Sequence, residues 1–302
     1  MRCGSVSHVN VDPDDGGHYI LRAMAIISSG GRDGHDVARA YLALAGAGFR
    51  RHATYRQATV AAAVTNSVFG FLRCAVVFAV IDAGSRVVAG YDRAQLATFV
   101  WVGQGLIGTV MIWAPPDFAD RIRTGDVVAD LLRPVDPVWQ LLAADLGRAA
   151  HAMFTRFIVP IAVGAVFFQL QAPRRPATYV LFVVSLLMAT IVCFGCRFLV
   201  NAAAYWLLDA RGPQIGWTLV SGVFGGLFFP LWFFPDAVAM ALIVGTPFPS
   251  TIQLPLDVLV ERGPLASQLG LLAIQATWVA VILALCRFVQ RRGEHKLVVQ
   301  GG

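Results

Sequence analysis

The chain has 302 residues, 57% of them hydrophobic and 14% charged, with a mean hydropathy of +0.65. A soluble globular domain carries about a quarter charged residues, so the composition excludes one and reads as a polytopic membrane protein. The formal net charge of +6 would suggest a nucleic-acid partner in a soluble protein; here the positive bias of cytoplasmic loops accounts for it.

Residues 1–36 form a polar, Gly/Asp-rich extension with no basic-then-apolar signal-peptide order, and disorder is expected there. Residues 37–56 mix Tyr41, Leu42, Leu44 and Phe49 with Arg39, Arg50, Arg51 and Arg56. This composition predicts an interfacial amphipathic helix on the cytoplasmic headgroups. Six apolar segments follow at about 57–82, 94–114, 150–170, 177–199, 214–234 and 265–288, each near the ~20 residues that cross a bilayer. The expected fold is therefore all-α and integral to the membrane, with six transmembrane helices.

Between the second and third segments lies the charged stretch 117–148. Asp117, Asp120, Arg121, Arg123, Asp126 and their neighbours cannot enter hydrocarbon without penalty, so this is an aqueous loop. Ile122, Val127, Leu131 and Leu132 recur at helical spacing, and Pro134 and Pro137 close the run. Two readings fit equally: a short amphipathic helix lying against the membrane and available to a partner protein, or a solvated connector.

Before the last segment, residues 236–262 contain an apolar stretch, Ala237 to Val244, that is too short to span and is stopped by Pro247, Pro249 and Pro255. A re-entrant or interfacial element on one face is predicted. Six spans put both termini on one side. With the termini inside, only Arg86, Arg93, Arg174, Arg175 and Arg262 face outward and Arg73 stays within the first span. All other basic residues are then cytoplasmic, which orients the chain and places 117–148 in the cytoplasm.

Motifs for chemistry are few. The single lysine, Lys296, precedes Leu297, so the chain has no P-loop. Cys193-Phe-Gly-Cys196 falls inside an apolar segment and reads as packing, since a redox pair needs an exposed thiolate. Gly103-Gln-Gly105-Leu-Ile-Gly108 has the dinucleotide spacing without the strand–turn–helix context, and close helix packing is expected instead. Gly222 and Gly226 form a G-x-x-x-G, a helix-packing or dimer signal. Asn66, Arg73 and Gln104 are polar residues within spans, which either line a translocation path or bond neighbouring helices. No histidine lies deep in a span, and no metal or cofactor is expected on this chain.

The stretch Ile122-Arg-Thr-Gly125-Asp-Val-Val-Ala-Asp-Leu131-Leu-Arg133-Pro134 resembles the cytoplasmic loop of ABC-2 type permeases. FRRHATYRQA…TNSVFG at 49–70, SG…FFPLWFFP at 221–235, TPF…P around Pro247 and the terminal VVQGG resemble that family in the same order. The resemblance covers residues 37–302, and the departure of 1–36 points to a translation start downstream of Met1. It implies a six-span permease subunit of an exporter in a bacterial plasma membrane. ATP and Mg would sit on a separate ATPase subunit, and a second permease subunit would complete a homo- or heterodimer. It also implies a coupling helix carried by Ile122, Gly125, Asp126, Leu131, Arg133 and Pro134, and an extracellular hairpin before the last span. The cargo suited to so apolar a path is an amphipathic or hydrophobic small molecule. A lipid-processing membrane enzyme and a scaffold that uses the same loop are the competing readings.

Overall fold

The computed structural model describes residues 34–53, 56–83, 89–113, 117–131, 135–207 and 209–297. Among these the chain is helical, with no strand. The expected 1–36 extension lies almost wholly outside the described residues, as do Arg133, Pro134 and the terminal VVQGG.

We number the helices α1 Gly34–Ala53, α2 Arg56–Ala83, α3 Arg93–Leu106, α4 Asp117–Thr124, α5 Val127–Leu131, α6 Pro137–Ala152, α7 Ile158–Phe167, α8 Pro176–Ala202, α9 Arg211–Phe224, α10 Asp236–Gly245, α11 Gln253–Leu259 and α12 Leu265–Leu297. A π turn, Ile107–Met111, extends α3, and a second, Met153–Phe157, joins α6 to α7. The two π turns pack against each other.

Among the described residues, four helices are long and apolar enough to cross a membrane: Val60–Asp82, Pro137–Phe167, Pro176–Tyr205 and Leu265–Leu297. The other two predicted spans fall on shorter helices. Segment 94–114 becomes α3 and its π turn, and every residue of α3 from Leu96 to Leu106 is buried. A helix shielded by α2, α7 and α11 needs no lipid-facing apolar surface, so it tolerates Thr98, Gln104 and its glycines. Segment 214–234 becomes α9, which stops at Phe224 as the chain turns through Gly225 and Gly226.

The third span also begins earlier than its hydropathy suggests. One continuous helical run extends from Pro137 to Phe167, so Asp145 and Arg148 lie inside a helix rather than in a loop. Asp136 starts that run, accepting from the Val138 N–H at 2.9 Å with Pro137 at the first helical position. Asp92 starts α3 through a reciprocal capping box with Gln95.

Small residues set the helix contacts. Trp101 of α3 is fully buried, with its ring against Gly70 of α2 and Gly164 of α7; a Cβ at either glycine would come within 2.7 and 2.4 Å of the indole. Helix α1 lies on α6, where a Cβ on Gly48 would meet the Ala144 carbonyl and one on Gly147 the Ala45 carbonyl. Gly195 does the same for α8 against Ile282 of α12. Gln275 of α12 is fully buried yet satisfied: it accepts from the Ser185 hydroxyl at 2.6 Å and donates to the Ser250 carbonyl at 2.9 Å.

Candidate functional site

The charged stretch after α3 forms two short helices. In α4 the face Phe118, Ala119 and Ile122 is buried, while Asp117, Asp120 and Arg123 are exposed. Phe118 stacks on Phe198 of α8 with ring centroids 4.9 Å apart, and the Ala119 N–H donates to Asn201 Oδ1 at 3.3 Å. Gly125 then turns the chain at φ +84°, a left-handed conformation that a side chain resists even though its Cβ position is open. Asp126 accepts from the Thr124 hydroxyl at 2.8 Å, and Val127 turns back into the core beside Ile122, Val138 and Leu142. The spacing expected to form one amphipathic helix against the membrane instead forms two short helices broken at Gly125, and α4 turns its apolar face to α8.

The candidate coupling residues divide by this arrangement. Gly125 and Asp126 are exposed at the tip, Leu131 is half-buried, and Ile122 is an anchor in the core. Arg133 and Pro134 lie outside the described residues. Beside α4 a cavity of about 220 Å³ opens between Asp120 and Arg123 on one wall and Asp209, Arg211 and Gln214 on the other.

Behind this surface lies a network that hydropathy did not separate from the loop. Asp145 accepts from Arg148 Nε and from an Arg197 terminal nitrogen, each at 2.8 Å. Arg148 also donates to the carbonyls of Gly108 and Thr109, each at 3.0 Å, within the π turn that extends α3. A π turn opens the regular i→i+4 ladder, and here a guanidinium takes up two of its carbonyls. The sequence signal was the i, i+3 pair Asp145/Arg148 inside the apolar run LLAADLGRAA.

Of the three candidate path residues, the structure brings two together. Asn66 Nδ2 donates to the Gln104 backbone carbonyl at 3.2 Å, and the Gln104 side chain is buried with its Oε1 unpartnered. Arg73 stands two turns further along α2 beside Phe228. Gly222 and Gly226 do not share a helix face, because α9 has already ended: Gly222 seats the Phe228 ring, and Gly226 turns at φ +79° beside Gln253 Oε1. Both glycines meet groups of the same chain, so the expected G-x-x-x-G face on one helix does not form. Cys193 and Cys196 are free and buried in α8, as packing requires. Gly105 and Gly108 meet Phe157 and Arg156, the close helix contact expected of the Gly103–Gly108 run.

The hairpin before α12 is built around a carboxylate that the sequence reading passed over. All seven residues of α11 are buried. Within it Asp257 accepts from the Tyr91 hydroxyl, from Gln253 Nε2 at 2.9 Å and from Trp232 Nε1 at 2.9 Å, while Arg262 lies 3.8 Å from the Trp232 ring centroid. Next to it Glu261, at φ +53°, receives the N–H groups of Arg174 and Arg175 and the Thr178 hydroxyl at the start of α8. Burial alone would raise the Glu261 pKa; hydrogen bonds from Thr178 and the Arg175 and Arg174 amides, with the Arg175 charge, hold it below the usual range. A lone Asp in the apolar run LPLDVLV was the available signal.

Among the described residues no three His, Cys, Asp or Glu side chains gather to hold a metal. The arrangement is suited to mechanics: a charged surface anchored on long helices, linked by ion pairs to a buried polar interior. A family model described as ABC-2 family transporter protein matches residues 67–301, most of the chain. No curated protein and no solved structure matches it.

Proposed function

Because the chain belongs to the ABC-2 transporter family, and is thus a multi-pass membrane permease of an ABC transporter, we propose that it is the permease subunit of an ATP-driven exporter. A separate ATPase, holding ATP and Mg, docks on the 117–148 segment. The cargo is an amphipathic or hydrophobic small molecule moved outward across a bacterial plasma membrane. The chain crosses six times, with α3 and α9 completing the four long spans and both termini in the cytoplasm. A second permease subunit, like or unlike, forms the other half.

The observation that carries this reading is the construction of α4: Phe118 and Ile122 anchor it while Asp117, Asp120 and Arg123 project outward. A helix held on its apolar face and charged on the other is a handle. Displacement of α4 reaches α8 through Phe198 and Asn201. From Arg197 on the same helix it reaches Asp145, Arg148 and the carbonyls at the base of α3. Nucleotide can shift the permease between states only by its differential affinity for them, so the docked surface must differ between the two states.

The test is purification of the tagged chain from native membranes in mild detergent, followed by mass spectrometry. A stoichiometric P-loop ATPase, crosslinked from cysteines placed at Arg123 or Asp126, is the expected result. A chain recovered with no nucleotide-binding partner, even after crosslinking, overturns the exporter reading.

A further inference from the structure

Arg73 sits midway along the apolar stretch Val60–Asp82 of α2. The carboxylate nearest to it in sequence, Asp82, is engaged elsewhere, pairing with Arg93 at 2.8 Å. Among the described residues no Asp or Glu forms an ion pair with Arg73. Its Nε is closed off from solvent and has no acceptor. The Phe228 ring lies beside it, its centroid 5.9 Å from the guanidinium carbon, at the outer limit of a cation–π contact.

A cation left without a counter-charge in the middle of a span is costly, and such residues ordinarily mark a path or a ligand. Its placement narrows the ligand. Asn66 precedes it by seven residues, which on a helix of about 3.6 residues per turn puts both on one face. One turn to either side, Phe69 and Val76 are exposed and apolar. A guanidinium whose charge no described carboxylate offsets, flanked by apolar surface, complements an oxyanion attached to a hydrophobic body.

We propose that Arg73 binds the carboxylate or phosphate of an anionic amphiphile, with Asn66 extending the polar track towards Gln104. This rests on the permease reading above and narrows its cargo to an anion. The shared chemistry is the oxyanion; it is carried either by a free amphiphile or by a membrane lipid.

The test uses the full chain in phosphatidylcholine nanodiscs, with nitroxide-labelled stearate, ionised, and its methyl ester as probes. The immobilised spin fraction gives the relative association of each. Stearate should be preferred by about tenfold, the worth of a hydrogen bond to a charged group. Arg73→Gln should bring the ratio to unity, and Arg73→Lys should keep most of it. Arg73→Met, apolar and of similar reach, repeats the measurement in a variant with no polar group to bury, should Arg73→Gln fail to fold. Equal association of acid and ester in the native chain, as expected if a second subunit already supplies the counter-charge, overturns the proposal. So does a preference that survives both neutral variants. Labelled phosphatidylglycerol and phosphatidylcholine form a second arm: an Arg73-dependent preference there assigns the site to a lipid headgroup, and its absence beside a stearate preference assigns it to a free amphiphile. ATPase capture is scored in the same preparations, so a chain that captures its ATPase without preferring the acid overturns only the anionic cargo.

Discussion

Asp145 of α6 and Arg197 of α8 meet at 2.8 Å with side chains only 10% and 12% exposed. Breaking a buried pair from one side strands the other charge, at a cost of about 3–5 kcal/mol. Asp145→Asn should lower the thermal midpoint in detergent, and Arg197→Gln added to it should cost less than the sum of the two single changes. Additive losses in that double-mutant cycle would mean that the two residues act independently.

Helix α1 is held by the reciprocal approach of Gly48 to Ala144 and Gly147 to Ala45. Gly147→Leu forces a side chain into a backbone carbonyl, and overpacking of this kind costs about 1–3 kcal/mol. Trypsin should then cut at Arg50 and Arg51 faster than in the native chain. Gly46→Ala is the control: a Cβ there meets only the flexible end of Arg50 at 3.4 Å, and the cleavage rate should stay unchanged.

Glu261 gives the turn before α12 a pH dependence. Its carboxyl is held below the ordinary value by Thr178, the Arg174 and Arg175 amides and the Arg175 charge, which together outweigh the effect of burial. A depressed folded pKa means that the stabilisation is fully present above the unfolded value of about 4.3 and is lost as pH falls through the folded one. Native chain should lose thermal stability on acidification below that value; Glu261→Gln should be less stable at pH 7 and flatter across the same acid range. Parallel melting curves for the two proteins would remove Glu261 from the account.

Asp126→Arg combined with Arg133→Glu should leave folding intact, because Asp126 is exposed at the tip of the loop. In proteoliposomes with the cognate ATPase, hydrolysis should continue while transport falls by about tenfold, the equivalent of ~1.4 kcal/mol of lost coupling. Unchanged transport by the double variant counts against docking at this surface. Ile122→Ala should act differently: the side chain is 6% exposed, and its truncation should cost about 2–5 kcal/mol of stability.

Much of this architecture is legible in hydropathy alone, since α2, α8 and α12 face apolar surroundings along most of their length and must be apolar themselves. What hydropathy misses is burial by protein. Helix α3 hides behind its neighbours and so carries Thr98 and Gln104. The start of the long helical run from Pro137 was obscured because Asp145 and Arg148 look like loop charges until Arg197, about fifty residues later in the sequence, is brought beside them. Asp257 was passed over for a related reason: its donors Tyr91 and Trp232 are remote in sequence, and only the fold brings them together. Helical spacing in the charged stretch was readable from Ile122, Val127 and Leu131, but the break at Gly125 was not, and Phe118, the residue that stacks on α8, lay outside that period.

The paired π turns, Ile107–Met111 and Met153–Phe157, impose a bookkeeping constraint on insertions and deletions. Each turn holds one residue more than a regular helix needs over that length. Deleting a residue from the first would restore a regular helix, and because the wider π turn absorbs the extra residue within itself, the segments on either side would keep nearly their present phase. Trp101 would stay between Gly70 and Gly164, while the ladder would close over the carbonyls of Gly108 and Thr109 that Arg148 now takes up. The extra residue therefore supplies acceptors, and a frame-preserving deletion of three nucleotides here would loosen Arg148 from the end of α3 without disturbing the packing of Trp101.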